Sequence, residues 1–210
     1  MQFNNLIEEL LGQKSKVKIL RHLVLNCIED SGRRIAADTK MSPTKCHEAL
    51  AELVDQGAVK VNVKGKMYLY SLNRGAYIVD AIIEPLFMKE RDSISTVISD
   101  VSATIKKDTL SIVLFGSIAK REELPYSDID ILVIAKDGPA KRRIKKKLED
   151  IAIDIHRKYR NELAPYVLTA TEYLKRIKKK DSMLTDIEKS GRLVYGMTLT
   201  EITIRESKAA

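Results

Sequence analysis

Leu114-Phe-Gly-Ser-Ile-Ala-Lys-Arg121 and, a short polar loop later, Ser127-Asp-Ile-Asp-Ile-Leu-Val-Ile134 are the two halves of the stretch that decides the fold. The apolar run from Leu110 to Phe115 has the length of a buried strand, and Gly116 then lets the backbone approach a ligand without a Cβ in the way. Ser117 adds a hydroxyl and an amide at a helix start, where unpaired N–H groups attract phosphate. The second half reads as another buried strand, whose period of two sends Asp128 and Asp130 to one face. Two neighbouring carboxylates repel unless a cation lies between them. Mg²⁺, a hard ion that takes oxygen ligands, suits such a pair and would bridge to the phosphates of a nucleotide.

This pattern resembles the signature of the polymerase-β-like nucleotidyltransferase superfamily, in particular its minimal branch. Gly116, Ser117, Ala119, Ser127, Asp128, Ile129 and Asp130 match that signature, and the interval between the halves is that of the family. The resemblance covers residues 108–196 and implies a mixed sheet flanked by helices. It implies that Asp128 and Asp130 are the catalytic metal ligands for Mg²⁺ (or Mn²⁺), with Gly116, Ser117, Lys120 and Ser127 at the nucleoside triphosphate. Family members modify small molecules, nucleic acids or proteins, and the minimal branch includes antitoxins that act on partner toxins. The chain departs from the pattern twice. Lys120-Arg121 stands where the family has Arg-Gly, and alignment of the third strand on Pro165-Tyr166-Val167-Leu168 puts Tyr166 where active members carry a third carboxylate.

The N-terminal part has a different pattern. Ser15 is expected to cap a helix with apolar positions at Val17, Leu20, Leu23, Val24, Cys27 and Ile28, ended by Ser31-Gly32. A short helix follows over 34–39. A third begins with Ser42 as N-cap and Pro43 at its first position and stops at Gly57. Residues 59–63 and 67–71 alternate as a hairpin across Lys64-Gly65-Lys66. Three helices and a hairpin in this order resemble a winged helix-turn-helix domain, which implies DNA as a partner. Ser42, Thr44, Lys45 and His47 would face the major groove, and Lys64 and Lys66 would reach phosphates from the wing. Residues 1–75 hold 12 Lys and Arg against 8 Asp and Glu, a modest surplus. Glu48, Glu52 and Asp55 on the third helix would oppose phosphates unless they point away.

The expected organisation is α+β: a winged helix-turn-helix domain at 1–75, a helical connector at 76–107 bent at Pro85, a nucleotidyltransferase-like domain at 108–196 and a tail at 197–210. In the connector, Ile94, Val97, Ile98, Val101 and Ile105 form a stripe that must pack on the transferase sheet or on a second copy in a homodimer. Six cations between Lys141 and Lys147 read as a solvated helix face, with a polyanion contact as the alternative.

Composition adds bounds. Among 210 residues, aromatics are 5% with no Trp, so aliphatic side chains fill the cores; 37 Lys and Arg against 29 Asp and Glu leave a net charge of +8, which favours polyanions. No apolar run approaches a membrane span and the first residues lack a signal-peptide layout, so a cytoplasmic protein without membrane contact is expected. Cys27 and Cys46 fall on apolar stripes as free thiols. His22, His47 and His156 show no ligand spacing, so no zinc is expected. Two functions stay open. One is an enzyme that moves a nucleoside monophosphate to an unidentified acceptor, a toxin-like protein partner included. The other is a DNA-bound regulator whose catalytically weak transferase fold senses a nucleotide or binds a partner in the manner of an antitoxin.

Overall fold

The structure is a computed structural model that describes residues 5–26 and 29–209, with side chains to residue 206. Two compact units divide it, Met1–Ser93 and Ile94–Ala210. In the first, α1 (Leu6–Leu11), α2 (Lys14–Asn26), β1 (Asp30–Ser31), α3 (Gly32–Asp38), α4 (Pro43–Asp55), β2 (Val59–Lys64) and β3 (Met67–Leu72) follow in order. The strands form an antiparallel sheet of order β1-β3-β2. This is the winged helix-turn-helix arrangement. Ile19, Leu20, Leu23 and Val24 of α2 meet Ile35 of α3 and Cys46, Leu50 and Leu53 of α4 in one core. Ser42 caps α4 as expected, its side chain accepting from the Lys45 amide with Pro43 in the first turn, and Gly57 leaves it at φ 75°.

Two expected helix ends are corrected. α2 begins at Lys14, so Ser15 lies inside the helix and its hydroxyl faces Gln13 rather than capping. Ser31 does not end α2; with ψ 148° it caps α3, accepting from the Arg34 amide. Serine favours caps because its oxygen replaces a missing intrahelical acceptor, and here the cap serves the following helix. The expected positions of Cys27 and Ile28 lie outside the described residues. Cys46 is a buried free thiol, and burial pushes its pKa up.

A π-helical turn at Val79–Ile83 precedes α5 (Glu84–Ile105), and the Glu84 amide reaches back to the Val79 carbonyl. Pro85 explains the turn: it has no N–H to give and its ring crowds the preceding turn, so the chain widens there.

The second unit contains β4 (Thr109–Leu114), α6 (Gly116–Lys120), β5 (Ile129–Ala135), α7 (Gly138–Tyr159), β6 (Leu163–Thr169), α8 (Ala170–Lys178), α9 (Ser182–Ser190), β7 (Arg192–Gly196) and α10 (Leu199–Ala209). The sheet order is β6-β5-β4-β7. β5 and β6 are parallel and joined by α7, while β4 pairs antiparallel with both neighbours. Alternation gives the sheet two apolar faces. Ile112, Ile131, Val133 and Val167 pack with Val97, Ile98, Val101 and Ile105 of α5 and with Ile144 and Leu148 of α7. The connector stripe therefore docks on the sheet. Val113, Leu132, Ile134 and Leu168 on the opposite face pack with Tyr173 of α8, Leu184 and Ile187 of α9, and Ile202 of α10.

The expected tail is thus corrected to a helix. The Thr198 hydroxyl accepts from the Glu201 amide while the Glu201 carboxylate accepts from the Thr198 amide, a capping box that the sequence Thr198-Leu-Thr-Glu201 encodes.

Candidate functional site

β4 ends at Leu114, and the chain bends at Phe115 into α6 with Gly116 at φ 71°. The Phe115 amide donates to the Asp130 carbonyl at 3.0 Å, which places the head of β5 beside that bend. A Cβ built on Gly116 would lie 2.1 Å from Asp130 Oδ2. Only glycine fits, on two grounds: the left-handed φ and the carboxylate against its α-carbon. Asp130 is half-buried and Asp128 exposed. Burial, and secondarily the Asp128 charge, raise the Asp130 pKa above the usual carboxylate value. A cation would relieve that repulsion, so the pair fits the metal expected at it.

Ser117 stands in the first turn of α6, half-buried, with its amide at the helix start. Lys120 is less free than expected, since its ammonium pairs with Asp186 of α9 at 3.0 Å. Ser127 has a structural role beside the site. Its hydroxyl accepts from the Leu124 amide at 2.9 Å, and the Asn161 amide donates to its carbonyl at 2.8 Å, which pins the loop before Asp128. Arg121 adopts φ 59° at the position where the resembled signature has glycine, so the turn keeps its shape without it.

The parallel pairing with β5 fixes the register of the third strand, β6. Asp130 pairs with Ala164 and Tyr166 with Leu132, so the residue across from Asp130 is alanine. Tyr166 turns towards α8, where its hydroxyl bonds Arg176 and the guanidinium lies 5.5 Å from its ring centre. Among the described residues, no third carboxylate, histidine or thiol gathers with Asp128 and Asp130 as a metal-ligand group.

In the N-terminal unit Ser42, Thr44, Lys45 and His47 are all exposed along the start of α4. Lys66 is exposed at the wing tip, while Lys64 pairs with Glu29 at 2.7 Å. Of the acidic residues on α4, Glu52 is neutralised by the buried Lys16 at 2.6 Å. A pocket of about 710 Å³ beside the α4 start is lined by Lys14, Lys18, Lys40 and Lys45. Sequence reasoning missed the first three: Lys14 and Lys18 are one turn apart on α2, and only the fold brings them beside Lys40 and the α4 start. Of the six cations on α7, Lys141 pairs with Glu172 and both Arg143 and Lys147 with Asp108; Arg142, Lys145 and Lys146 are exposed.

A glycine bend feeding a helix start, with an Asp-x-Asp strand head pressed on it, is the arrangement on which the nucleotidyltransferase resemblance rests. Residues 94–194 match the family described as "Nucleotidyltransferase domain", and this part of the chain is such a domain. A curated relative, the "Putative protein adenylyltransferase" of Methanocaldococcus jannaschii, is 44% identical over 63 residues, which is 29% of this chain and 42% of that protein's own length. The chain therefore covers less than half of that relative. Among solved structures, the homodimeric winged helix-turn-helix DNA-binding domain of a possible ArsR-family regulator from Mycobacterium bovis is 19% identical, with a TM-score of 0.36 over 43% of this chain and 81% of that one. A mutant of ZitR from Lactococcus lactis is 20% identical, with a TM-score of 0.32 over 46% of this chain and 62% of that one.

Proposed function

We propose that the C-terminal unit binds a nucleoside triphosphate, ATP in the first instance, with Mg²⁺ and transfers its nucleoside monophosphate to a protein hydroxyl, while the winged unit binds DNA. The observation that carries the nucleotide reading is the Asp130 carboxylate pressed on Gly116 beside Asp128. The relative's name supports the acceptor class.

Asp128 and Asp130 would hold Mg²⁺, which supplies charge neutralisation at the phosphates. The chain's own residues do the rest. Gly116 opens the bend for a phosphate, and the amide of Ser117 donates to it. In the transfer, the acceptor oxygen bonds to the α-phosphorus and the bond from that phosphorus to the β-phosphate oxygen breaks. Pyrophosphate leaves, and the acceptor proton passes to water.

A second reading has its own support. Ala164 across from Asp130 leaves two carboxylates where the resembled enzymes use three, which suits a domain that binds nucleotide to regulate DNA binding. Incubation with α-labelled ATP, Mg²⁺ and cell extract separates the two. Label on a protein, lost in Asp128→Ala and Asp130→Ala, supports transfer. Absence of label together with ATP-dependent DNA affinity supports the regulator. Absence of both label and ATP binding overturns the nucleotide reading.

A further inference from the structure

His22, Asp30 and Asp38 have no ligand spacing in the sequence, yet α2, β1 and α3 bring them together. His22 Nε2 lies 3.6 Å from Asp30 Oδ2 and 4.0 Å from Asp38 Oδ2. One ligand atom from each of the three lies within 4.8 Å of the others. Separations of 3.6 and 4.0 Å are too long for hydrogen bonds. They lie close to the distance, roughly 3.3–3.5 Å, between ligands set at about 2.0–2.1 Å around a tetrahedral ion. The side chains of His22 and Asp30 are only 10% and 14% exposed, so two of the three are held out of bulk water.

The surroundings orient these atoms inward. The Ser31 amide donates to Asp30 Oδ1 at 2.9 Å, which leaves Oδ2 turned to the histidine. The Asn26 side-chain amide lies 2.9 Å from His22 Nδ1. Its Nδ2 faces the ring and donates to Nδ1, which fixes the orientation of the imidazole, and an ion bound at Nε2 displaces the proton carried there. Arg34 is the cation nearest both carboxylates. Its Nε stands at 3.6 Å from Asp30 and 3.9 Å from Asp38, also beyond hydrogen-bond length, on a side chain 71% exposed. It can turn to solvent when a stronger cation enters.

We infer that His22, Asp30 and Asp38 form a site for a divalent transition-metal ion of the zinc class, bound through Nε2 and one oxygen of each carboxylate with a fourth position open. The imidazole selects zinc-class ions over Mg²⁺, which prefers an all-oxygen octahedron. This reverses the expectation of no zinc, which rested on spacing along the chain. A bound ion ties together three elements of the winged unit and stabilises that unit by mass action. The site is independent of nucleotide binding.

The test uses the full chain, stripped with chelator and titrated with Zn²⁺ by calorimetry and thermal denaturation, without nucleotide. One tight Zn²⁺ per chain is expected, with a raised Tm. Asp38→Asn, at an exposed position and checked for an intact fold by circular dichroism, should weaken the affinity at least about tenfold, the cost of losing even an outer partner of a metal ligand. His22→Gln should abolish the visible absorption of bound Co²⁺, while Asp128→Ala/Asp130→Ala keeps both the affinity and the absorption. Unchanged Zn²⁺ affinity in Asp38→Asn and His22→Gln, or loss of the tight site in Asp128→Ala/Asp130→Ala, overturns the inference.

Discussion

The carboxylate of Asp130 occupies the space that a side chain at Gly116 would need, with Oδ2 only 2.1 Å from where a Cβ would stand. Gly116→Ala therefore meets both a clash and a left-handed φ, and should destabilise the C-terminal unit by roughly 2–4 kcal/mol. Urea unfolding of Gly116→Ala, Asp130→Ala and the double variant separates the two effects. The double variant should recover the clash and retain only the backbone cost of about 1–2 kcal/mol.

Asp130 also makes a pH-dependent contribution. Its folded-state pKa lies above the unfolded value because of burial and the Asp128 charge. The protonated folded form is thus favoured, so this contribution is fully present below the unfolded pKa and is lost as pH rises through the folded one. Asp130→Asn should raise Tm at pH 7 by roughly 1–3 °C and leave it nearly unchanged at pH 3. Mg²⁺ should raise the Tm of the unsubstituted protein and not of the variant, as differential scanning calorimetry can show.

Arg121 holds φ 59° at the end of α6 with no glycine to ease it. Arg121→Gly removes that backbone cost and should stabilise the protein by about 1 kcal/mol, less the extra entropy glycine brings to the unfolded chain. Thermal denaturation of the two proteins gives the sign directly. A loss of stability would mean that the guanidinium contributes more than the backbone loses.

Ile202 is fully buried in α10 against α8 and α9. Ile202→Ala should cost about 2–4 kcal/mol, far more than any change in an unstructured tail. Thr198→Ala should cost about 1 kcal/mol through the lost cap. Urea denaturation measures both.

For DNA binding, Lys45→Ala should weaken affinity most for the preferred sequence and also lower its salt dependence. Lys64→Ala should change it less, because Lys64 already pairs with Glu29. Fluorescence anisotropy across a salt series reads both effects.

Much of this was legible in the chain. The Gly116 bend, the β5 alternation and the Ser42-Pro43 cap are local patterns, and local patterns determine strands, turns and helix starts. Register was not legible: that Asp130 pairs with Ala164 and Leu132 with Tyr166 depends on how β6 slides along β5. A shift of two residues preserves the face, so hydrophobic alternation could not detect it. The pairing of Lys120 with Asp186, and the meeting of His22 with Asp30 and Asp38, join residues on separate elements, and no spacing rule reaches across the fold. The α10 capping box was present at Thr198 and Glu201 and went unread.

β4 takes one neighbour from Ile129–Ala135 and the other from Arg192–Gly196. During synthesis, β4 and β5 can pair early, yet the second edge of β4 stays without a partner until the ribosome has released the residues near 196. The winged unit draws all three strands of its sheet from residues 30–72 and can close long before. Vectorial synthesis therefore gives the two units unequal exposure as nascent chain. The β4 edge, with its run of buried aliphatic residues, is where chaperone contact or aggregation would begin in a stalled or truncated product.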